Sequence, residues 1–495
     1  MRLALPLSAL ALLAALLLVL PGQTVTTAYT NDLLVFLDGA HRLASGQVPN
    51  RDFHTALGPL VYLIPFAGLW LTGSLGGAMP MGMALVLAAF VPLLVQVLGP
   101  RMRPVLALPF GAFLVLLIAL PANPGERITA LSFAMFYNRL GWAALALLLV
   151  MVLRPQQQNL WRDAICAALL VLLPAYVKAT YGLAAIGFVC LMLLDPRHRR
   201  WAALALALAA LGAGAVELVW RGSAGYMADL MTTARISAER GGRDLARIAL
   251  GNLPTLVLFA LIAGLALRRV SALRDLAFYG FCLVSGLLLL SQSAQGWGIL
   301  TLHAGAAVAA EKAMADGRAP AAGMPLLLAA LLLPIGLHNA ATLGLHSTLA
   351  VARAGEPIGL PHLQEVRFLQ LRDPRNPFVD RYLAGLARGG EVLARLQPAA
   401  ERVVVLDFAN PFSAGLGLVP ARGDWSWLHW NRNVSEGYHL PGEMLLADAD
   451  LVLVPEIGIN PGPLLALYRP VLDREFRQVL AEDGWTIFRR GEAAP

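Results

Sequence analysis

A series of apolar runs, each close to the length of a membrane helix, constrains this chain more than any other feature. The first run extends from Leu3 to Leu20, and further runs centre near residues 88, 112, 147, 171, 187, 210, 258, 285, 304 and 332. A helix needs about 20 apolar residues to cross a bilayer, because hydrocarbon offers backbone amides no other partner. The runs predict an α-helical polytopic membrane protein with about 11 transmembrane helices.

The composition agrees with a chain whose surroundings are mostly lipid. Of the 495 residues, 58% are hydrophobic and 14% are charged, whereas a soluble domain carries roughly 25% charged residues. The three cysteines, Cys166, Cys190 and Cys282, all lie inside apolar runs and show neither a disulfide nor a metal-ligand spacing. The sequence contains no nucleic-acid-binding motif, so we expect no nucleic acid among the partners.

The basic residues predict how the chain is oriented in the membrane. Clusters of arginine and lysine follow alternate apolar runs, at Arg101–Arg103, Arg154–Arg162, Arg197–Arg200, Arg268–Arg274 and Lys312–Arg318. If the N-terminus is cytoplasmic, eleven spans place every cluster on the cytoplasmic side, as the positive-inside rule requires. We therefore predict a multi-pass inner (plasma) membrane protein whose C-terminal domain is extracytoplasmic.

This count depends on two apolar segments. The first run follows Arg2 and lacks a clear cleavage site, so we interpret it as a retained helix rather than a removed signal peptide. Gly58 to Gly73 is short and contains Pro65, and we interpret it as a juxtamembrane helix in the outer leaflet. The alternative is a short true span, which would move the later clusters to the other side.

The last part of the chain has the pattern of a small α/β domain. We place a transmembrane domain at 1–345, with a first outer loop at about 23–78, and a soluble extracytoplasmic domain at 346–495. Short apolar runs predict strands and amphipathic stretches predict helices. The predicted strands are Arg402–Asp407, Asp450–Pro455 and Trp485–Arg489, and the predicted helices are Phe378–Leu396 and Leu464–Leu480.

The first outer loop holds a concentration of groups that could act chemically. A carboxylate at the membrane surface is partly desolvated, which raises its pKa, and it can accept a proton from an acceptor hydroxyl. The carboxylates, imidazoles and guanidiniums of this loop are Asp32, Asp38, Asp52, His41, His54, Arg42 and Arg51. We interpret Asp38, His41 and His54 as surface groups and retain Asp32 and Asp52 as candidates.

The loop resembles the C-type glycosyltransferase superfamily (GT-C), whose members include protein mannosyltransferases and aminoarabinose transferases that use polyprenyl-phosphate sugars. Their first outer loop begins with an acidic residue and continues through a small amphipathic helix to a Gly-x-x-Pro-Tyr-x-Asp stretch. This chain has Asp32, then Gly46-Gln-Val-Pro-Asn-Arg-Asp52, then Gly58-Pro59-Leu60. The outward first loop and the trailing outer domain also resemble the family.

The resemblance implies that Asp32 is the catalytic carboxylate, with Asp52 as an orienting or acceptor-binding group. The alternative for Asp32 is an N-cap of the amphipathic helix predicted at 33–45. Family members often carry Glu after the first acid and a second acid before the fourth span. Here Leu33 and Asn138-Arg139 stand at those places. The cofactor is therefore unknown, with a divalent metal possible and no metal-ligand pattern to support it.

Two cations between apolar runs are candidate donor-phosphate ligands. Lys178, one of only two lysines, lies in Pro-Ala-Tyr-Val-Lys-Ala-Thr-Tyr-Gly on the predicted outer side. A cation at membrane depth usually has a partner, and the resemblance implies the phosphate of the lipid carrier; snorkelling without a ligand is the alternative. Arg139 could complete a phosphate clamp, or could anchor the interface with Tyr137 and Trp142.

An aromatic segment of the tail is a candidate site for acceptor or sugar binding. Its residues Asp424, Trp427, His429 and Trp430 lie within Gly-Asp-Trp-Ser-Trp-Leu-His-Trp-Asn-Arg-Asn. Aromatic faces pack on sugar rings, and carboxylates and amides bind hydroxyls. A loop packed against the membrane domain is the alternative.

Together these patterns predict an inverting membrane glycosyltransferase of cell-envelope glycan biosynthesis. Its partners would be a polyprenyl-phosphate-linked sugar, a glycan or lipid acceptor hydroxyl on the outer face, and membrane lipid. A transporter or flippase of lipid-linked sugars could use the same cations without a base. A non-catalytic assembly component would tolerate the loss of Asp32. Internal symmetry would favour a transporter, and we detect none in the sequence.

Overall fold

The computed structural model describes residues 3–240, 245–267, 273–292, 295, 297–315, 317, 323–371, 378–399 and 401–491. Three residues of the basic clusters, Arg268, Arg269 and Arg318, lie outside these ranges. The helices up to residue 351 are α1 (Ala4–Val19), α2 (Thr30–Ala44), α3 (Leu60–Thr72), α4 (Leu75–Leu98), α5 (Pro104–Ala119), α6 (Phe136–Leu149), α7 (Leu160–Val177), α8 (Ala179–Leu193), α9 (Arg199–Trp220), α10 (Ser223–Arg240), α11 (Leu245–Gly251), α12 (Leu253–Leu267), α13 (Leu273–Ser291), α14 (Leu300–Ala315) and α15 (Gly323–Val351).

Each predicted apolar run lies in one of these helices, which identifies the chain as a multi-pass membrane protein. Within the described residues, α4, α7, α9, α13 and α15 are long and apolar enough to cross a membrane. The pair α11 and α12, bent by 79°, gives a sixth candidate if it counts as one span. The remaining apolar helices are shorter, so the number of eleven spans stays a prediction.

The first outer loop contains two helices that differ in how they pack. Helix α2 is amphipathic and buries Leu33, Leu34, Phe36 and Leu37; it begins at Thr30, slightly earlier than predicted. Helix α3 has 13 residues, roughly 20 Å at 1.5 Å per residue, which is less than the hydrocarbon core of about 30 Å.

Glycines let α3 pack closely against α4 as an antiparallel hairpin. A Cβ atom added to Gly68 would lie 1.9 Å from the carbonyl oxygen of Ala78, and one added to Gly82 would lie 2.5 Å from that of Ile64. Such contacts leave no room for a side chain at either position. The apolar segment predicted as a juxtamembrane helix is therefore half of a helical hairpin.

Helices α7 and α8 form a second hairpin, with a single residue between them. Pro174 lies in the last turn of α7, and Lys178 has an extended backbone (φ −157°, ψ 118°). The Lys178 amide still donates to the carbonyl of Pro174, and the Tyr181 amide donates to the carbonyl of Lys178. The hairpin thus places the half-buried Lys178 at its tip, between the two apolar helices, as the sequence predicts.

A small sheet joins the first outer loop to the tail. Strand β1 (Thr24–Thr26) pairs in parallel with β3 (Val366–Phe368), which pairs antiparallel with β2 (Glu356–Pro357). Helix α15 continues to Val351, beyond the boundary predicted at 345. The tail therefore shares backbone hydrogen bonds with the loop that carries Asp32.

The rest of the tail is the predicted α/β fold with one correction. It contains α16 (Phe378–Arg395), α17 (Phe412–Leu416), α18 (Gly442–Leu445) and α19 (Pro461–Glu475), and a sheet of order β4-β5-β7-β6 formed by β4 (Val403–Val405), β5 (Leu451–Pro455), β6 (Phe476–Glu482) and β7 (Trp485–Arg490). The three predicted strands are confirmed. The helix predicted at 464–480 is wrong beyond Glu475, because the next residues pair antiparallel with β7.

Candidate functional site

A cavity of about 480 Å³ lies where several outer segments meet. It is bordered by the first outer loop, the start of α6, the tip of the α7–α8 hairpin, one face of α10, the end of α13 and the aromatic segment of the tail. The residues that line it are Ala56, Leu57, Tyr137, Lys178, Ala179, Thr180, Leu230, Thr233, Ala234, Ser237, Ala238, Ser291, Gln292, Trp427 and Arg432. Two of these residues are cations, and none is acidic.

Lys178 is held in the cavity wall by neutral groups. Its Nζ donates to Oδ1 of Asn138 at 3.1 Å and lies 5.5 Å and 5.8 Å from the ring centres of Tyr137 and Tyr181. Aromatic rings stabilise a cation without neutralising it. Among the described residues we find no carboxylate paired with Lys178, so its charge is available to an anion in the cavity.

Arg432 is the second cation of the cavity, and a tight turn of the tail positions it. Asn431 has a left-handed backbone (φ 60°). The Asn433 side chain closes the turn, since its Oδ1 accepts from the His429 amide at 2.7 Å and its Nδ2 donates to the Trp427 carbonyl at 2.6 Å. The half-buried Arg432 is close enough for its charge to act on both Lys178 and Asp32.

Asp32 lies in the first turn of α2, beside this cavity rather than among its lining residues. The N-cap of α2 is Tyr29, with no side-chain cap hydrogen bond, so Asp32 does not have the N-cap role considered from sequence. Burial raises the pKa of the Asp32 carboxyl to about 7, although the positive charge of Arg432 opposes this change. A carboxyl group with such a pKa can exchange protons near neutral pH.

Tyr137 connects the environments of Asp32 and Lys178. Its ring packs edge-on against Phe36 of α2, with ring centres 6.2 Å apart, and lies beneath the ammonium of Lys178. The phenol is also within electrostatic range of Asp32 and Arg432. The acid and the two cations therefore surround one aromatic side chain at the edge of the cavity.

A close backbone contact fixes the first outer loop against the hairpin. The Gly58 amide donates to the Val177 carbonyl at 3.1 Å. A Cβ atom at Gly58 would lie 2.0 Å from the carbonyl oxygen of Tyr176, so only glycine fits without a backbone shift. This contact sets Ala56 and Leu57 beside Lys178.

A buried carboxylate anchors α10 to the same loop. Asp229 accepts hydrogen bonds from Nδ2 of Asn50 at 3.0 Å, from Nδ1 of His54 at 2.7 Å and from the Thr55 amide at 2.9 Å. Tyr226 adds a contact to the hairpin, because its hydroxyl oxygen accepts from the Ala179 amide at 3.1 Å. Helix α10 thereby forms one wall of the cavity.

An interdomain ion cluster, formed by Asp38, Arg42 and Asp424, joins α2 to the tail. Arg42 donates to Oδ2 of Asp38 at 2.7 Å and binds both carboxylate oxygens of Asp424 at 2.7 Å and 2.8 Å. All three side chains are almost completely buried. Asp424, predicted to bind sugar, thus has its carboxylate engaged by Arg42.

The other predicted residues lie outside the lining of the cavity. Asp52 accepts from the Val48 amide and pairs with Arg422 at 2.8 Å. Arg139 is completely buried and donates to the Ala122 carbonyl at 2.7 Å. The His429 ring packs on Phe408 at 5.2 Å. The Trp430 amide donates to Asn460.

Of the predicted site residues, Lys178 and Trp427 line the cavity, and Asp32 is beside it. Sequence reasoning did not single out Arg432, Tyr137 or Asn138 as one set, although all three lie within segments that it had identified as candidates. Within the described ranges, no group of three or more His, Cys, Asp or Glu side chains is arranged to hold a metal ion. The lining of the cavity, which has no acidic residue, therefore offers no carboxylate to a metal ion.

Comparisons with known proteins give limited information. No protein-family model matches the chain, and no curated protein matches it. The chain is similar to the arabinofuranosyltransferase AftD from mycobacteria, whose structure was determined by single-particle cryo-EM, with a TM-score of 0.43 and 15% identity. The similarity covers 98% of this chain and 40% of that one, so this chain spans two fifths of its length.

Proposed function

We propose that this protein is a GT-C-type membrane glycosyltransferase. It moves a sugar from a polyprenyl-phosphate carrier to an acceptor hydroxyl of a cell-surface glycan or lipid on the outer face. One observation carries the proposal: Lys178 and Arg432 line a cavity without any acidic lining residue, and a carboxyl group with a pKa of about 7 lies beside it. Two cations bind the donor phosphate, and the carboxylate acts on the acceptor.

The proposed reaction is a single displacement at the anomeric carbon. Asp32 removes the proton of the acceptor hydroxyl, whose oxygen forms the new bond to the anomeric carbon. The bond from that carbon to the phosphate oxygen breaks, and the lipid phosphate leaves with the electron pair. Lys178 and Arg432 stabilise the negative charge that develops on the leaving oxygen, so no general acid is needed. The single displacement inverts the anomeric configuration.

The predicted roles of the remaining residues are revised to fit their positions. Arg139 makes no contact with the cavity, and Asn138 beside it orients Lys178 instead. Trp427 supplies an apolar face to the sugar or the acceptor. Asp52 and Asp424, both engaged by arginines, hold the tail against the first outer loop.

Substitution of Asp32 tests the proposal directly. Membranes that contain the Asp32→Asn protein, incubated with labelled polyprenyl-phosphate sugars, should form no new glycan and release no lipid phosphate. Loss of a general base typically costs a factor of 10² to 10⁴ in rate. Asp52→Asn is the matched control, because it removes a carboxylate of the same loop that lies outside the cavity.

The result also separates the competing functions. A transporter or flippase in which Asp32 is replaced would still move lipid-linked sugar across the membrane of a vesicle. An assembly component would transfer no sugar to an acceptor, even as the unaltered protein. Full transfer activity of Asp32→Asn would refute the mechanism.

A further inference from the structure

A second cavity of about 930 Å³ lies at the opposite ends of helices that border the candidate site. Helix α8 begins beside Lys178 at one end, and Leu191 and Leu194 at its other end line the second cavity. Helix α13 likewise has Ser291 in the first cavity and Leu273 in the second. At 1.5 Å per residue, these helices separate the cavities by roughly 22 to 28 Å, close to the thickness of the hydrocarbon core.

The second cavity, here the basic cavity, has an excess of positive charge. Its cationic lining residues are Arg101, Arg103, Arg154, Arg197, Arg274 and Lys312, and its acidic ones are Asp195, Asp275 and Glu311.

The three carboxylates of the basic cavity are already engaged by other lining residues. Glu311 pairs with Arg103 at 2.5 Å, and Asp275 pairs with Lys312 at 2.8 Å. Asp195 is 3.9 Å from the guanidinium of Arg274. Within the described part of the chain, Arg154 and Arg197 have no carboxylate partner. The uncompensated charge of the cavity therefore lies on these two exposed arginines.

The contacts of Arg101 are a second, independent observation that points to an anion. Its side chain is 1% exposed, and it pairs with Asp163 at 2.9 Å and donates to the Val97 carbonyl. Its Nε, however, has no hydrogen-bond partner among the residues that the structure describes. A buried guanidinium nitrogen without an acceptor costs free energy, and an anion in the basic cavity would supply that acceptor.

The apolar part of the lining indicates what kind of anion fits. Leu194 and Leu273 are exposed at the border of the cavity, next to the ends of α8 and α13. A free anion would leave these leucines uncovered, whereas a lipid covers them with its acyl chains while its phosphate reaches the arginines. Basic pockets between membrane helices have this combination of features where they bind acidic headgroups.

We propose that the basic cavity binds the phosphate headgroup of an anionic phospholipid in the leaflet opposite the glycosyltransferase site. The lipid phosphate lies between Arg101, Arg154 and Arg197. Its acyl chains extend along Leu194 and Leu273. The site is separate from the proposed reaction and binds lipid whether or not the protein transfers sugar.

Lipid binding to the purified full-length protein tests this site. Native mass spectrometry would count phosphatidylglycerol molecules retained in detergent, and thermal unfolding would be followed as short-chain phosphatidylglycerol, phosphatidylcholine or inorganic phosphate is added. We expect specific binding and stabilisation with phosphatidylglycerol alone. The double variant Arg154→Gln/Arg197→Gln should bind it at least tenfold more weakly, since each surface cation contributes about 1 kcal/mol to lipid attraction.

The matched control is Arg162→Gln/Arg200→Gln, which removes one cation from each of the same two basic clusters, at the starts of α7 and α9, but none from the cavity lining. Its phosphatidylglycerol binding should equal that of the unaltered protein. Three results would overturn the proposal: equal stabilisation by phosphatidylcholine, equal stabilisation by inorganic phosphate, or an equal loss of binding in the control variant.

Discussion

Two opposing effects determine the pKa of the Asp32 carboxyl group. Burial disfavours the carboxylate, and the charge of Arg432 favours it. An acid with its usual pKa would be fully ionised at neutral pH but only a weak base, whereas a pKa near 7 combines a large ionised fraction with useful basicity. Arg432 therefore acts on both substrates in the proposed reaction, through the donor phosphate and through the base.

The pH dependence of transfer should show this coupling. Only the ionised Asp32 can accept a proton, so kcat/KM should rise with pH through about 7. In Arg432→Gln the carboxylate loses a stabilising charge, the pKa of Asp32 rises further, and the midpoint of the profile should move to higher pH. Arg422→Gln, which removes an exposed arginine of the tail, should leave the midpoint in place. An unchanged midpoint in Arg432→Gln would show that the two groups are not coupled.

The sequence could identify Lys178 but not Arg432, for a physical reason. A lysine between two apolar runs is rare and costly in lipid, so its position alone indicates a function. Arg432 is one of many arginines in the tail, and nothing local distinguishes it. Its role depends on the turn closed by Asn433 and on the docking of the tail against α2. Both are features of the tertiary structure, which the local sequence does not specify.

Among the elements, helix α2 carries the candidate base Asp32 and is anchored to the tail by buried ion pairs. Its first turn carries Asp32, and its last turn carries Arg42, which forms the interdomain ion cluster with Asp38 and Asp424. The Arg42 guanidinium also lies 5.1 Å from the ring centre of Phe53. The cluster therefore fixes α2 relative to the loop that carries Arg432.

Removing the cation of this cluster should be strongly destabilising. Arg42→Met leaves two carboxylates buried without a partner, and breaking a buried pair in this way typically costs about 3–5 kcal/mol. Arg422→Met removes an exposed arginine from the same interface and should cost less than about 1 kcal/mol. Chemical denaturation of the two purified variants in detergent measures the difference. Equal stability of the variants would mean that the cluster does not hold the domains together.

The tail shows which elements the sequence can predict. Strands β4 and β5 are short apolar runs that are buried completely, and their pattern was sufficient to locate them. Residues 476–482 continue the amphipathic pattern of α19 without a clear break. They nevertheless form strand β6, because their backbone pairs with that of β7. Pairing across a turn is not encoded in the periodicity of one segment.

For the whole molecule, the two cavities divide the charged groups by membrane face. The proposed glycosyltransferase site brings together the first outer loop, the hairpin tip and the tail, whereas the basic cavity brings together residues of every predicted cytoplasmic cluster. The long helices between them fix the two sets on opposite faces. This arrangement supports the predicted orientation, in which substrate and acceptor meet outside and the basic clusters face the cytoplasm.

Labelling of single cysteines from one side of the membrane tests this orientation. In a Cys190→Ala background, which removes the exposed native thiol, a cysteine would replace either Glu436 in the tail or Arg200 in the first turn of α9, both exposed. In sealed vesicles with the outer face outward, a membrane-impermeant maleimide should label Glu436→Cys at once and Arg200→Cys only after permeabilisation. We expect the two positions to lie at opposite membrane faces, so the reverse pattern would mean an inverted topology, with the proposed sugar-transfer site in the cytoplasm. Labelling of both sites in sealed vesicles would contradict the separation of the two cavities by a bilayer.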